Sequence, residues 1–486
     1  MKKKFLIILG IALLGSTACQ KSKLYPVSQT SISNQDGQPF STSARIQSQV
    51  LGLYATMRSG QLYGGRYEVY EDVKGENWIN STSNSVTAYQ TWTETVSSTS
   101  SEVLNLWSQA YLTINNCNLF IDGMASTGTA VVGAATSAQY VAEAKFIRAA
   151  AYYALLQFYC QPYVVNNGAS PGVPLRLTGN SAYGNYDLAP VTVAQVYAQI
   201  ISDLNGAETG LPLVYYTTGT TTIDAASNTT RAHRNTAIAF KTRVYLSMQQ
   251  YANVITEANK IVSSAAPFTA TTGYPNALQA NEVNMFKANY TNTEYILAMP
   301  FNANETPGTQ NQIATYFSGL GSSEFYLNPN GIIADATWKS TDTRRSLITV
   351  KSGRSYQLKF PTSSPYTDWV PVMRYAEVVL NLAEARARTS GIDAQSIALL
   401  NAIRGRNDAT TVYTASSFSS ANDLINAILK ERNIEFLGEG LRWSDLMRLN
   451  LPIPAKSNVP QVNPTDASYI WPMSGNEQLY NKLIGR

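Results

Sequence analysis

Apolar residues recur every three to four positions in nine segments of this chain, a spacing that commits them to amphipathic helices packed on one another. Segments 44–58, 102–123, 140–159, 191–211, 235–264, 372–388, 394–406, 420–437 and 441–449 carry the pattern. In the first, Ile46, Val50, Leu53, Tyr54 and Met57 form one stripe. In the third, Phe146, Ala149, Ala150, Tyr153 and Leu156 do the same, and Pro162 stops the run. Segment 235–264 spaces Ala, Tyr and small residues as tetratricopeptide helix pairs do, with Gln249 at the turn position where glycine is usual. Gly438 reads as a helix C-cap, and Pro452 ends the last helical segment. Two long stretches break the pattern. Residues 60–101 and 265–370 are rich in Gly, Asn, Ser and Thr yet carry many aromatics, and long irregular stretches in a compact chain tend to be functional.

The length, 486 residues, allows two or three domain-sized units or one large helical body. Charged residues are only 14%, against roughly 25% in an ordinary domain, while Tyr alone numbers 30. A surface of hydroxyls, amides and aromatic rings suits neutral polar ligands better than phosphates. Net charge is +4, with no clustered basic face, so nucleic acid is not an expected partner. His233 is the lone histidine and HExxH is absent, which excludes sites needing several His ligands. Cys19, Cys117 and Cys160 form no CxxC pair, so neither a thiolate metal site nor a cofactor is expected.

The first residues assign a compartment. Lys2, Lys3 and Lys4 precede an apolar run at 5–14, too short to span a membrane but right for a secretory leader. Small residues then lead to Cys19, as in a bacterial lipobox whose cysteine is lipidated, although Ser16 stands where Leu is common. Residues 1–18 are thus read as a lipoprotein signal peptide, Cys19 as the lipidation site and 19–44 as a tether. Cys117 and Cys160 either pair in an oxidising compartment or stay as buried thiols in helical contexts.

Several constellations need weighing. Gly168-Ala-Ser-Pro-Gly172 matches GxSxG, but Pro171 lacks the backbone N–H that an oxyanion hole would use. Glu431 and Glu435 share a helix face, yet Arg432 between them and Arg442 nearby read as charge-paired packing rather than a catalytic pair. Gly319-Leu-Gly321 lacks the strand and third glycine of a phosphate loop. Trp107 belongs to a periodic helix and reads as core. Trp78 and Trp92, with Tyr89, sit among amides and hydroxyls without period, and so do Tyr316, Phe317, Phe325 and Tyr326. Two roles stay open for these aromatics: packing, or flat platforms for sugar rings whose edges bond to the neighbouring amides.

Residues 428–448, ILKERNIEFLGEGLRWSDLMR, closely resemble the signature of the SusD/RagB family, outer-membrane nutrient-binding lipoproteins of Bacteroidota. Four further segments resemble family motifs in order: EAKFIRAAAYY at 143–153 with GVPL at 172–175, VMRYAEVVLNLAEAR at 372–386, LNAIRGR at 400–406, and Trp471-Pro-Met473 with Glu477. The resemblance implies an all-α fold class: tetratricopeptide-like helix pairs forming a superhelical scaffold, with a loop-rich irregular region packed on it. The regions would be an N-terminal helical part at 45–264 and a C-terminal part at 265–486 containing the loop-rich insertion 265–370. It implies that Glu431, Arg432, Glu435, Glu439, Arg442 and Asp445 serve the fold. It further implies no chemistry, a cell-surface position, and a SusC-like TonB-dependent outer-membrane barrel as partner, to which a captured oligosaccharide, or a peptide, is handed. Trp78, Tyr89 and Trp92 fall in one variable loop region where such proteins place aromatic platforms, and Tyr316, Phe317 and Tyr326 in a second. A lipid-anchored helical-repeat scaffold is the alternative. A glycoside hydrolase is the other, and would draw on Glu68, Glu71, Asp72 or Glu76.

Overall fold

The computed structural model describes residues 39–182, 184–288, 290–321 and 323–484; the leader, Cys19 and the tether as far as residue 38 lie outside the described residues. The main elements in chain order are α1 (Ser43–Met57), α2 (Arg66–Val73), β1 (Trp78–Asn80), α3 (Tyr89–Thr93), α4 (Ser101–Gly123), α5 (Ala134–Tyr159), β2 (Pro171–Pro174), β3 (Pro190–Thr192), α6 (Val193–Gly210), α7 (Arg234–Ser247) and α8 (Tyr251–Ala258). They continue as β4 (Tyr295–Met299), β5 (Phe325–Leu327), β6 (Ile348–Lys351), β7 (Arg354–Gln357), β8 (Val370–Arg374), α9 (Tyr375–Ser390), α10 (Ala394–Asn407), α11 (Ala421–Glu435), α12 (Arg442–Arg448) and α13 (Gly475–Tyr480).

Helices pack in succession, α4 on α5, α5 on α6, α6 on α7, α7 on α8, α8 on α9 and α9 on α10 and α11, which is the superhelical stacking of tetratricopeptide-like pairs. The centre is α5. Its alanines at 142, 144, 149, 150, 151 and 154 are buried and let neighbouring helices approach closely, and it has no polar face over its second half. Ends are set locally. Thr192 and Gln195 form a capping box at α6, Ser420 and Asp423 another at α11, and the Asp393 carboxylate caps α10. One core runs from Ile46 to Trp471.

Boundaries depart from the periodicity in three places. The stretch at 60–101 is not wholly irregular: α2 lies in it, buried along its whole length, with β1 and α3. Its sequence, RYEVYEDV, hides the helix because acids stand where apolar residues would mark the buried face. Residues 124–137, which lie between the periodic segments 102–123 and 140–159, are largely helical, and α5 begins at Ala134. Segment 235–264 breaks into α7 and α8, with Gln249 at φ +55° in the turn between them. That left-handed backbone is why glycine is usual at this position. Strands form four separate two-stranded ladders among the described residues, β1–β5, β2–β3, β4–β8 and β6–β7, all antiparallel. Cys117 and Cys160 are buried free thiols, not a disulfide.

The C-terminal signature is an ion-pair lattice. Glu431 of α11 pairs with Arg344 at 2.7 Å and Arg404 at 2.6 Å. Glu435 pairs with Arg344 at 2.9 Å, Arg374 at 3.0 Å and Arg406 at 2.6 Å. Glu439 holds Lys359 at 2.5 Å and Arg374 at 2.6 Å, while Glu282, Glu294 and Asp342 complete the set from the insertion. Burial, and next the charge of Glu435, raises Glu282 well above the usual carboxylate range, so it keeps its proton and bonds to Glu435. Around these side chains, Arg344, Lys359, Arg374, Arg404 and Arg406 then face an equal number of carboxylates. A second set fixes α9 to α7, α11 and α12: Glu377 takes Arg243 at 2.7 Å, Asn381 takes Arg432 at 2.6 Å, and Glu384 takes Arg448 at 2.7 Å.

Helix α2 carries a different kind of charge. Burial raises Glu68 and Glu71 to about 8 and Asp72 to about 7. Each keeps its proton in the folded chain at a pH where the unfolded chain has lost it, so their stabilising contribution is complete below about pH 4 and is lost as pH rises through about 8. His233, lowered to about 3 by burial, acts with the opposite sign, but only below its ordinary 6.5. The urea midpoint is therefore expected to fall between pH 6.5 and 8. Glu68→Gln should fall less steeply, by up to about 1.4 kcal/mol per pH unit; an unchanged slope would refute the assignment.

Candidate ligand-binding face

The strand β1 pairs with β5 in the register Trp78↔Leu327, Ile79↔Tyr326 and Asn80↔Phe325. Alternation along β5 sends Phe325 and Leu327 into the core and leaves Tyr326 half-buried on the other side. The same register carries Trp78 inward, where it is fully buried and stacks on Phe317 with centroids 4.1 Å apart. Trp92 is buried on α3 and its indole N–H donates to the Trp78 carbonyl at 2.8 Å. Tyr316 is buried and its hydroxyl donates to the Gln310 carbonyl. Trp78, Trp92, Tyr316 and Phe317 are therefore packing residues in this structure and offer no open ring face. Polar neighbours made them look like loop aromatics, but a ladder and short helical turns bury the rings together with neighbours such as Asn77, Thr91 and Ser318.

Tyr89 and Tyr326 do keep an accessible edge. Tyr89 stacks on Trp92 at 6.3 Å and is half-buried. Its short helix is fixed by Glu102, whose carboxylate accepts the Gln90 N–H at 3.0 Å and the Thr91 N–H at 2.8 Å. Burial raises Glu102 to about 7, an effect that these bonds oppose.

Two further tyrosines join Tyr326. Tyr356 of β7 meets it edge-on at 6.5 Å. Gly319 lies against Tyr356: a Cβ there would come within 2.7 Å of the ring, and its φ of +69° is a glycine conformation. At Gly321 a Cβ would sit 3.4 Å from the Tyr366 hydroxyl. The glycine pair unsuited to phosphate thus brings two half-buried tyrosines close to one segment. Tyr366 is set by a turn in which its N–H donates to the Ser363 carbonyl, and the Asp368 carboxylate closes the loop on the Thr362 N–H at 3.0 Å. Sequence reasoning missed Tyr356 and Tyr366. Their only local signal was tyrosine among Ser and Gly in the insertion, and the partner that gives it meaning lies more than thirty residues away.

A polar rim borders the face. Ser81 donates its N–H to the Glu324 carbonyl at 2.8 Å and its hydroxyl to the Ser323 carbonyl at 2.7 Å. The Glu324 carboxylate accepts the Asn84 amide at 3.1 Å and the Thr82 hydroxyl. Over Tyr326 lies Arg354, its guanidinium carbon 4.6 Å from the ring centroid. Lys351 donates to the Gly319 carbonyl at 2.5 Å.

Deeper cavities lie elsewhere. One of about 530 Å³ sits between α1 and residues 299–305, with an Arg58–Glu305 pair at 2.9 Å in its wall. Another of about 540 Å³ separates residues 184–187 from α13, but there Arg176 and Asn481 already spend their donors on Tyr186, Glu477 and Leu188. The candidate carboxylates of a hydrolase do not converge. Glu68 is buried, Glu71 accepts the Ser444 N–H, Asp72 accepts the Gly438 and Gly440 N–H groups, and Arg442 clamps Glu76 through two bonds. Among the described residues no cluster of three or more potential metal ligands occurs, and no helix is long and apolar enough to cross a membrane.

With this geometry in place, comparison with known proteins is informative. A family model described as the SusD family matches residues 214–481, and one described as starch-binding associating with outer membrane matches 27–246. SusD-like protein P2 of Formosa agariphila is 25% identical across 99% of this chain and 98% of its own length. A SusD superfamily crystal structure from Bacteroides fragilis aligns with a TM-score of 0.82 at 31% identity, covering 92% of this chain and 100% of that one. A laminarin-binding SusD-like protein shares the fold, with a TM-score of 0.71 at 18% identity, covering 91% of this chain and 98% of that one.

The burial of Trp78 has a measurable consequence. Trp78→Ala should cost about 3–5 kcal/mol of stability, the usual penalty for emptying an aromatic core position. Chemical denaturation would read it; a loss under about 1 kcal/mol would show that the ring is not part of the core.

Proposed function

The chain belongs to the SusD family, and from that premise we propose that it is a lipid-anchored outer-membrane protein that captures an oligosaccharide and hands it to a TonB-dependent barrel. The observation that carries this reading is the edge contact of Tyr326 with Tyr356, with Gly319 against the Tyr356 ring, Gly321 against the Tyr366 hydroxyl, and the hydroxyl-bearing segment 81–84 tied to the residues preceding β5. Sugar rings present C–H faces and hydroxyl edges. Tyrosine supplies a flat apolar face with a polar tip, and the hydroxyl oxygens of Ser81 and Thr82, whose protons go to Ser323 and Glu324, can still accept hydrogen bonds from the edges. Each ring is worth about 0.5–1.5 kcal/mol beyond the area it covers. Several such contacts in an open face give a ligand that is held but can leave, which delivery to a transporter requires.

Tyr89 and Tyr326 remain site residues in this proposal, while Trp78, Trp92, Tyr316 and Phe317 act from beneath as the foundation of the face. Cys19 supplies the anchor: a diacylated thiol has the two chains that stable attachment needs. The deposition of charge in buried lattices rather than a cleft supports a binding role without chemistry. The peptide-capturing and scaffold readings have no structural feature of comparable specificity behind them.

Affinity electrophoresis against a panel of soluble polysaccharides tests the ligand class. At least one should retard the protein, and Tyr356→Ala should weaken binding about tenfold, the equivalent of 1.4 kcal/mol, with the unfolding midpoint little changed. Retardation by none of the panel, or binding of peptides in its place, would overturn the proposal. A C-terminally tagged protein, gently solubilised, should bring down a barrel in near-equal amount; recovery alone in several detergents would remove the delivery step.

A further inference from the structure

The charges on the tyrosine face are unbalanced, and the imbalance has one sign. In the β6–β7 ladder Lys351 stands directly opposite Arg354, two cations facing each other across a hairpin. Like charges in that position destabilise a ladder. The buried cations around Glu431, Glu435 and Glu384 are closely paired with carboxylates. Yet no ion pair among the described residues includes Lys351 or Arg354. Lys351 spends its ammonium on the Gly319 carbonyl. Arg354 has only the Tyr326 ring, 4.6 Å below its guanidinium carbon. The two acids bordering this face, Glu324 and Asp368, are both buried; Asn84 and Thr82 take the oxygens of Glu324, and Thr362 and Tyr290 those of Asp368.

Arg354 is exposed and its guanidinium donates no hydrogen bond within the described residues, so its planar fork of N–H groups is available to a carboxylate or other oxyanion, which it can bind through two parallel bonds. Resting on the proposed glycan-binding role of this face, we infer that the ligand carries an acidic substituent, a carboxylate or a sulfate ester, and that Arg354 reads it. Whole-chain composition, poor in charge, favours a neutral ligand; the local pattern refines this to a largely neutral saccharide with an acidic group placed against the β6–β7 hairpin. Tyr326, pinned beneath Arg354, then serves as a support for the guanidinium, while Tyr356 and Tyr366 supply ring contacts.

Matched pairs of oligosaccharides test this by calorimetry at low salt: oligogalacturonate against its methyl ester, and a sulfated galactan oligosaccharide against its desulfated form. The acidic member of one pair should bind at least tenfold more tightly, and that ratio should shrink as salt is raised to about 0.5 M, where screening is strong. Which pair discriminates identifies carboxylate or sulfate. Arg354→Ala should bring the ratio near one, and Arg354→Lys, which keeps the charge but not the planar fork, should leave it intermediate. Equal binding of acidic and neutral forms, or a ratio unaltered in Arg354→Ala, would overturn the inference and leave the glycan-binding reading standing. Binding of no saccharide, in these pairs or in the neutral panel, would overturn both.

Discussion

Glu435 is the point on which the rest of the molecule turns. Its carboxylate sits under helix α11 and touches guanidinium groups from three separate stretches of chain: Arg344 in the insertion, Arg374 at the end of β8, and Arg406 on α10. Against the cost of burial, Arg406 and Arg374 hold it well below the usual carboxylate range. Such a group cannot be removed gently, because deleting one member of a buried lattice strands the others, at about 3–5 kcal/mol. The lattice also has a directional role. An apolar core accepts many packings of similar energy, whereas a lattice of forked guanidinium bonds accepts few. It therefore fixes how the insertion sits on the helical scaffold, and with it where β5, β6 and β7 deliver their tyrosines.

The helices were legible because their buried faces are marked by apolar periodicity, and Gln249 marked a turn by occupying a glycine position. The C-terminal signature was legible as charge-paired packing because Arg432 separates Glu431 and Glu435, although nothing local reveals that their partners are Arg344 and Arg374. Helix α2 stayed hidden, since a buried helix bearing Glu68, Glu71 and Asp72 defeats any reading that equates acids with exposure. The aromatics of the candidate face divided in a way no local rule predicts. Trp78 and Tyr326 both sit in short polar contexts, yet the β1–β5 register buries one and half-exposes the other. That register joins residues about 250 positions apart, and a reading of neighbours along the chain has no access to it. Tyr356 and Tyr366 were missed for the same reason.

The face is stiff below and open above. Trp78, Phe317, Tyr316 and Trp92 interlock beneath it, Glu102 pins α3, and Glu324 ties the 81–84 rim to β5. Rings and rim are thus ordered before any ligand arrives, so binding does not have to supply the entropy of arranging them. A prearranged platform lowers the entropic cost of capture, in keeping with the proposed role in binding a saccharide.

The ladders of the insertion have a consequence beyond the ligand itself. Each contains only two strands, and none continues into its neighbour's hydrogen bonding. In a broad sheet, lengthening one hairpin shifts register across every strand beside it. Here the β6–β7 hairpin is held at its base, where Arg344 and Lys359 join the lattice of Glu435 and Glu439, and its tip at 351–354 lies beyond those anchors. The architecture separates an anchored base from an exposed tip, so that one scaffold can be refitted a hairpin at a time.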